Sequence, residues 1–289
     1  MSNKLSNMKN LLITGSTGFI GSNILNSLLK NYNIFVTSRR KSFKQKNVTK
    51  IYFKNHDDLN NKLKKIRIDM IIHCGTHYVK NHNFSDIHKL IKANIEFGII
   101  LLENLKVMKV KKFINFSTVW QNYNGQLGVA NNLYSVSKIC FTNILEYYSR
   151  TLNNKKFYNL FVSDTYGKND KRKKLINLLK KNFNKKVKTK IISKKLSLNL
   201  LNIEDIISAV KIIINKNIVP GKYNVINKRF INILDLIKKV NELSKHKIII
   251  KWDNKKIKKE KIFNYKKLPT WKAKNSNLNH LTKYLVEKT

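Results

Sequence analysis

Short apolar runs alternate along the chain with stretches in which apolar residues recur every three or four positions. Residues 10–14 form the first run, and Ile24, Leu25, Leu28 and Leu29 give the helical spacing that follows it. Residues 33–37, 50–53, 69–75, 113–118 and 157–162 repeat the short pattern, and residues 133–138 and 175–183 repeat the helical one. Runs that stay apolar at consecutive positions suit strands covered on both faces, as in a parallel sheet between helices. Strands and helices in alternation predict an α/β fold.

The second half has the same rhythm. Residues 198–205 lead into a helix ending at Ile214, with Glu204 and Asp205 suited to its first turn. Pro220 and Gly221 turn the chain into a strand at 222–226 that returns to the main sheet, so the two halves interweave about a boundary near residue 160. A helix over 233–243, a strand over 247–252 and a closing helix over 271–285 follow, with 255–267 read as a mobile connection. No internal repeat is found.

Between the first strand and its helix lie Gly15, Gly18 and Gly21, spaced G-x-x-G-x-x-G, with Ser16, Thr17, Phe19 and Ile20 between them. A glycine turn joining strand to helix lets backbone approach a pyrophosphate and directs the phosphates at the helix N-terminus, where free N–H groups favour negative charge. About a hundred residues on, Tyr134 and Lys138 are four apart on one predicted helix and share a face. A lysine ammonium beside a phenol is expected to favour the phenolate, giving a tyrosine able to exchange a proton with a carbonyl or alcohol near neutral pH.

Taken together these motifs resemble the extended short-chain dehydrogenase/reductase family, the nucleotide-sugar epimerases, dehydratases and ketoreductases, and the resemblance covers nearly the whole chain. It also takes in Asp69 to Gly75 as the fourth strand and its cofactor-facing end, Asn94 in a helix, and 113–118 as the fifth strand. It implies a Rossmann doubly wound parallel sheet over 1–160 and a smaller interwoven α/β substrate lobe over 161–289. It implies Tyr134 as general acid/base, Lys138 on the nicotinamide ribose, and Thr118 on the substrate oxygen, with Ser117 the alternative for that hydroxyl. Cofactor contacts are implied for Gly15, Thr17, Gly18, Phe19, Ile20, Gly21, Ser38, Arg39, Asp58, Leu59, Cys74, Gly75, Asn94, Tyr134 and Lys138, with Asp58 and Leu59 meeting the adenine. Substrate contacts are implied for Thr76, Trp120, Asp164 and Arg172, with Arg172 a candidate for the substrate phosphate.

The second strand runs into Ser38, Arg39, Arg40 and Lys41, and no carboxylate appears before Asp57. An acid at that strand end would hold the ribose 2′-hydroxyl of NAD, whereas arginine suits a 2′-phosphate. NADP(H) is therefore favoured over NAD(H). Family dehydratases carry an Asp-Glu pair after the strand-five threonine, and Val119 and Trp120 stand there instead. The chain looks most like ketoreductases of CDP-linked dideoxysugars, which implies hydride transfer to the C4 ketone of a nucleotide-linked 4-keto-deoxysugar. A nucleotide-sugar 4-epimerase with tightly bound NAD is the alternative, and a non-catalytic binding protein on the same scaffold is a further one.

Composition changes the picture little. The 289 residues carry 59 Lys and Arg against 16 Asp and Glu, a net charge of +43. The densest stretch, 171–195, holds twelve of those cations and no acid. Because the charge is spread over the whole chain, it is read as compositional, with a benefit for steering anionic substrates and no specific nucleic-acid partner. No apolar run is long enough for a membrane span, and the first ten residues lack the apolar core of a signal peptide. A cytoplasmic protein is expected, and a homodimer is compatible with it. Cys74 and Cys140 are expected to be reduced, unpaired and buried, and seven scattered histidines offer no metal spacing.

Overall fold

The computed structural model describes residues 8–42 and 44–287, so residues 1–7 of the amino-terminal stretch considered above lie outside the described residues. β1 (Asn10–Thr14), α1 (Phe19–Leu28), β2 (Asn33–Ser38), β3 (Val48–Tyr52), α2 (His56–Leu63) and β4 (Met70–His73) open the fold. α3 (Phe84–Ile91) passes through a π-helical turn at Lys92–Glu96 into α4 (Phe97–Asn104). β5 (Lys112–Thr118), a 3₁₀ segment (Val119–Gly125), α5 (Leu133–Thr151) and β6 (Lys156–Val162) complete the first half.

The described residues build an eight-stranded sheet, with β3, β2, β1, β4, β5 and β6 in that order across it and every pairing parallel. The chain works outward from β1 to β3, then restarts beside β1 at β4 and works outward the other way. Where the winding reverses, between β1 and β4, a crevice opens at the carboxyl ends of the strands. Leu11 and Ile13 pack with Ile24, Leu25, Val36, Ile72 and Ile114 on one face. Leu12 and Ile71 pack with Leu101, Phe113, Phe141 and Leu145 on the other. The uninterrupted apolar runs of the sequence follow from this burial on both faces.

Beyond β6 come β7 (Asp164–Tyr166), α6 (Leu175–Lys185), β8 (Thr189–Ile191), β9 (Ser197–Leu198), β10 (Leu200–Asn202) and α7 (Ile203–Asn215). β11 (Gly221–Val225), β12 (Ile231–Asn232), α8 (Ile233–Leu243), β13 (Ile250–Trp252), β14 (Lys266–Lys267) and α9 (Leu278–Val286) end the fold. β11 lies against β6 and β14 against β11, extending the sheet past β6. α6, α8 and α9 enclose a separate apolar cluster with Tyr166, Leu179, Leu236 and Leu281 at its centre.

Two local readings of the sequence are corrected. Residues 271–277 are not helical, because the buried Asp205 carboxylate captures this segment: it accepts from the Lys274 and Asn275 amides and from Ser276 Oγ. Trp271 Nε1 donates to the Asp205 carbonyl and to Ser208 Oγ, and α9 starts only after Asn277 caps it. The 255–267 connection is packed at its carboxyl end: Tyr265 stacks on Phe161 at 4.1 Å, receives a hydrogen bond from Asn122, and leads into β14. No helix among the described residues is long and apolar enough to cross a membrane.

Candidate active site

The crevice at the switch point is lined by whatever follows β1, β4, β5 and β6. After β1 comes the glycine turn. Gly15 has φ +64°, and a Cβ there would lie 2.6 Å from the Cys74 carbonyl. A Cβ on Gly21 would lie 2.2 Å from the Gly15 carbonyl oxygen, so the first turn of α1 can sit on the loop only without side chains. Thr17 and Gly18 are exposed at the tip, and Phe19 and Ile20 are half-buried. Gly18, the N-cap of α1, offers no side-chain cap, which leaves the first N–H groups of the helix open. Ser16 Oγ is buried and has no partner among the described residues.

After β4 come Cys74, Gly75, Thr76, His77 and Tyr78. Thr14 Oγ1 accepts from the Gly75 amide at 3.1 Å and pairs with His73 Nδ1 at 2.8 Å, tying the ends of β1 and β4 together. Burial and then the Lys138 charge pull His73 down to about 3, so its imidazole is neutral. Asn94, buried in the π-helical turn, receives hydrogen bonds from Thr76 Oγ1 and the His77 amide and donates to the His77 carbonyl and Ser137 Oγ. These four bonds use the donors and lone pairs of an amide. Asn94 therefore holds the 75–78 segment to α5 and has no amide valence left for a ligand.

After β5, adjacent residues face opposite ways. Ser117 Oγ is buried against Thr142 Oγ1 of α5, in a polar network with Gln121, Asn115 and Asn159. Thr118 ends the strand, and its Oγ1 accepts from the Trp120 amide at 3.3 Å, which leaves its own O–H free to donate. The strand pleat thus separates two hydroxyls that the sequence left as alternatives.

Asn132 caps α5 and places Tyr134 and Lys138 at its start. Burial pushes the Tyr134 phenol up to about 12; its contact with Thr76 and the charge of Arg172 act the other way. Lys138, 3% exposed, is pulled down to about 8 by burial, with Cys74 its electrostatic neighbour. The expectation that Lys138 lowers the tyrosine is corrected here. Its ammonium acts on His73 and Cys74 beneath, and the cation acting on the phenol is Arg172. Burial also pushes the Cys74 thiol up. Both cysteines are free, but neither is fully buried: Cys74 is half-buried, and Cys140 is exposed on the outward face of α5.

At the end of β2, Ser38 Oγ bonds to the amide and carbonyl of Arg40 and shapes a turn that presents Arg39, Arg40 and Lys41 to solvent. Asp58 and Leu59 follow β3 in the first turn of α2. The Asp58 carboxylate accepts from the Lys54 amide and pairs with Lys62, and Leu59 is wholly buried in the core. The residues at that strand end are Phe53, Lys54 and Asn55.

After β6 comes the segment from Asp164 to Lys174, which faces the first half across the crevice. Arg172 bonds both carboxylate oxygens of Asp170 and the carbonyl and hydroxyl of Thr165, and its guanidinium stacks over Phe19 of the glycine turn at 4.1 Å. Lys174 pairs with Asp164 at 2.6 Å and lies over the rings of Tyr78 and Trp120 at 5.6 and 5.8 Å. Tyr78 in turn meets Tyr134 edge-on at 5.0 Å. Glu260 faces the same cleft, and burial, then the Asp164 charge, push it up to about 7. Tyr78, Lys174 and Glu260 were not singled out from the sequence. Lys174 was hidden in a lysine-rich run, and only the fold brings Glu260 to Asp164. Among the described residues no group of three or more His, Cys, Asp or Glu could hold a metal ion.

Residues 11–226 match the model of the family described as NAD dependent epimerase/dehydratase. The chain is 27% identical to the CDP-abequose synthase of Yersinia pseudotuberculosis over 218 residues, covering 74% of this chain and 75% of that one. It is also 27% identical to the CDP-abequose synthase of Salmonella muenchen, covering 75% and 74%. The UDP-glucose 4-epimerase of Thermotoga maritima, solved with UDP-glucose, shares the fold at a TM-score of 0.78 and 19% identity over 96% of this chain and 97% of that one.

Proposed function

The chain belongs to the NAD dependent epimerase/dehydratase family of enzymes, and on that basis we propose that it reduces the C4 ketone of a nucleotide-linked 4-keto-deoxysugar, with NADPH favoured as reductant. The observation that carries this reading is the Tyr134 phenol. It is held protonated by burial, one helical turn from the buried Lys138 and edge-on to Tyr78, which in turn meets Trp120. A ketone that gains a hydride must also gain a proton, and a phenol poised at about 12 is in the donating state at neutral pH. The CDP-abequose synthases, similar over three quarters of their length, support a reductase reading. So does the apolar Val119 after Thr118, where dehydratase chemistry would want a second acid.

The residues fit a nicotinamide dinucleotide. The glycine turn leaves backbone space that side chains would fill, the first turn of α1 offers open N–H groups, and the unpartnered Ser16 hydroxyl faces inward. Gly15, Thr17, Gly18, Phe19, Ile20 and Gly21 would hold the pyrophosphate, and Ser38, Arg39 and Arg40 the 2′-phosphate. Cys74, Gly75 and Lys138 would line the nicotinamide end. When bound, the coenzyme supplies the hydride. Tyr134 gives its proton to the C4 oxygen, Thr118 donates a hydrogen bond to that oxygen, and the buried Lys138 ammonium would hold the nicotinamide ribose from below. Thr76, Trp120, Asp164 and Arg172 line the sugar side, with Arg172 the cation that favours the phenolate from above.

The test is to incubate the protein with NADPH and a panel of nucleotide 4-keto-6-deoxysugars, following absorbance loss and the product by NMR. Stoichiometric NADPH oxidation with formation of a C4 alcohol supports reduction. Inversion at C4 of a nucleotide hexose without net oxidation would replace it with the epimerase reading.

A further inference from the structure

We propose that Lys174 binds the diphosphate of the nucleotide substrate, and that Arg172, two residues before it, is a positioning residue that fixes the loop on which Lys174 is carried. This rests on the nucleotide-sugar reading above and assigns, within it, a residue for the anionic part of the substrate.

Both cations cross the cleft on one loop, and both already have a carboxylate partner. They differ in what release would cost. Arg172 is held by four hydrogen bonds and a stack on Phe19, and the Asp170 carboxylate it holds is fully buried. Turning Arg172 toward a ligand would leave a buried charge without its partner, the most expensive way to open an ion pair. The guanidinium therefore stays where it is, pinning the loop to the glycine turn. Lys174 has one bond, to Asp164, and both side chains of that pair are about a quarter exposed. Water reaches both partners, so releasing Lys174 breaks one bond and strands no fully buried charge, which costs less than releasing Arg172.

An ammonium has three donors, and among the described residues Lys174 uses one. The remaining two are held in a cleft walled by the faces of Tyr78 and Trp120, where a cation is favoured and water is partly excluded. Lysine binds phosphate as a compact point charge, without the planar fork that Arg172 has already committed to Asp170. The location is suitable too. Tyr78 touches the Tyr134 ring on one side and the Lys174 ammonium on the other, so Lys174 is one ring away from the proton donor. In a nucleotide sugar the diphosphate leaves the anomeric carbon, across the pyranose from C4. A sugar whose C4 oxygen meets Tyr134 can then lie along the aromatic wall with its diphosphate toward Lys174.

The experiment titrates CDP, UDP, dTDP and GDP into protein saturated with NADP⁺, by calorimetry at low and physiological salt. Lys174→Met should weaken the best nucleoside diphosphate at least about tenfold and flatten its salt dependence, the worth of one charge-assisted contact. It should leave NADP⁺ binding intact, and Lys174→Arg should restore most of the loss. Arg172→Met should lower the melting temperature and cost less diphosphate affinity than Lys174→Met. Unchanged affinity in Lys174→Met, or a larger loss in a folded Arg172→Met, would overturn the division of roles. If the wild type bound none of the four, the nucleotide-sugar reading itself would fall, and this proposal with it.

Discussion

The glycine turn after β1 and the loop from Asp164 to Lys174 face each other across one crevice, yet they are organised by different physics. The turn is shaped by backbone and by missing side chains, and its geometry is set by how closely Gly21 approaches the Gly15 carbonyl. The loop is shaped by charge: two ion pairs along it and three cation–π contacts that reach the opposite wall. A turn of the first kind tolerates no change of volume. A loop of the second kind tolerates volume but not loss of charge, and it can rearrange when a charged ligand arrives.

That contrast can be broken at either end. Gly21→Ala places a carbon against the backbone, and we expect a loss of about 3 kcal/mol with dinucleotide binding abolished, read by chemical denaturation and by coenzyme titration. Asp170→Ala leaves Arg172 without its buried partner and should also cost about 3 kcal/mol. Unlike the glycine variant, it should keep measurable coenzyme affinity. Equal loss of coenzyme in both would show that turn and loop form one unit. A smaller effect is expected at the end of β2. NADPH should bind at least about tenfold tighter than NADH, worth about 1.4 kcal/mol, and Arg39→Asp should narrow the gap in calorimetry.

A further effect, dependent on pH, concerns Glu260. Its pKa is raised from 4.5 to about 7, so between those values the folded chain keeps a proton that the unfolded chain has lost. Its contribution to stability therefore falls as pH rises from 4.5 to 7, and the penalty is fully present above 7. Glu260→Gln should gain stability over the wild type across that window and hold a constant advantage beyond it. Melting curves at pH 4, 6 and 8 check this, and an advantage that is largest at pH 4 would contradict it.

Much of the first region was legible in the sequence because backbone-driven structure leaves marks in residue type. Three glycines at fixed spacing, apolar runs on both sides, and Tyr134 four residues before Lys138 can be read without coordinates. The second region was not legible in the same way. Arg172 stood out as a cation, but nothing along the chain says that Asp170 and Thr165 occupy it with four hydrogen bonds while Lys174 makes a single one, to Asp164. Asp58 and Leu59 were read as following the third strand, but nothing along the chain says that they fall in the first turn of α2, with Leu59 buried in the core. The segment 271–277 had helical spacing, yet Asp205, some seventy residues away, outbids the helix for its amides. Direction was lost as well: spacing puts Tyr134 and Lys138 on one helical face, but not the lysine's charge on His73 and Cys74 below it.

The most direct test of the proposed chemistry is single-turnover NADPH oxidation by Tyr134→Phe beside the wild type, using a nucleotide 4-keto-deoxysugar that the wild type consumes. The phenylalanine keeps the ring against Tyr78 and removes only the proton donor. Turnover should fall by roughly 10²- to 10⁴-fold while NADPH binds as before. Full turnover in Tyr134→Phe, with the coenzyme still consumed, would mean that the proton comes from elsewhere and that the active site has been misplaced.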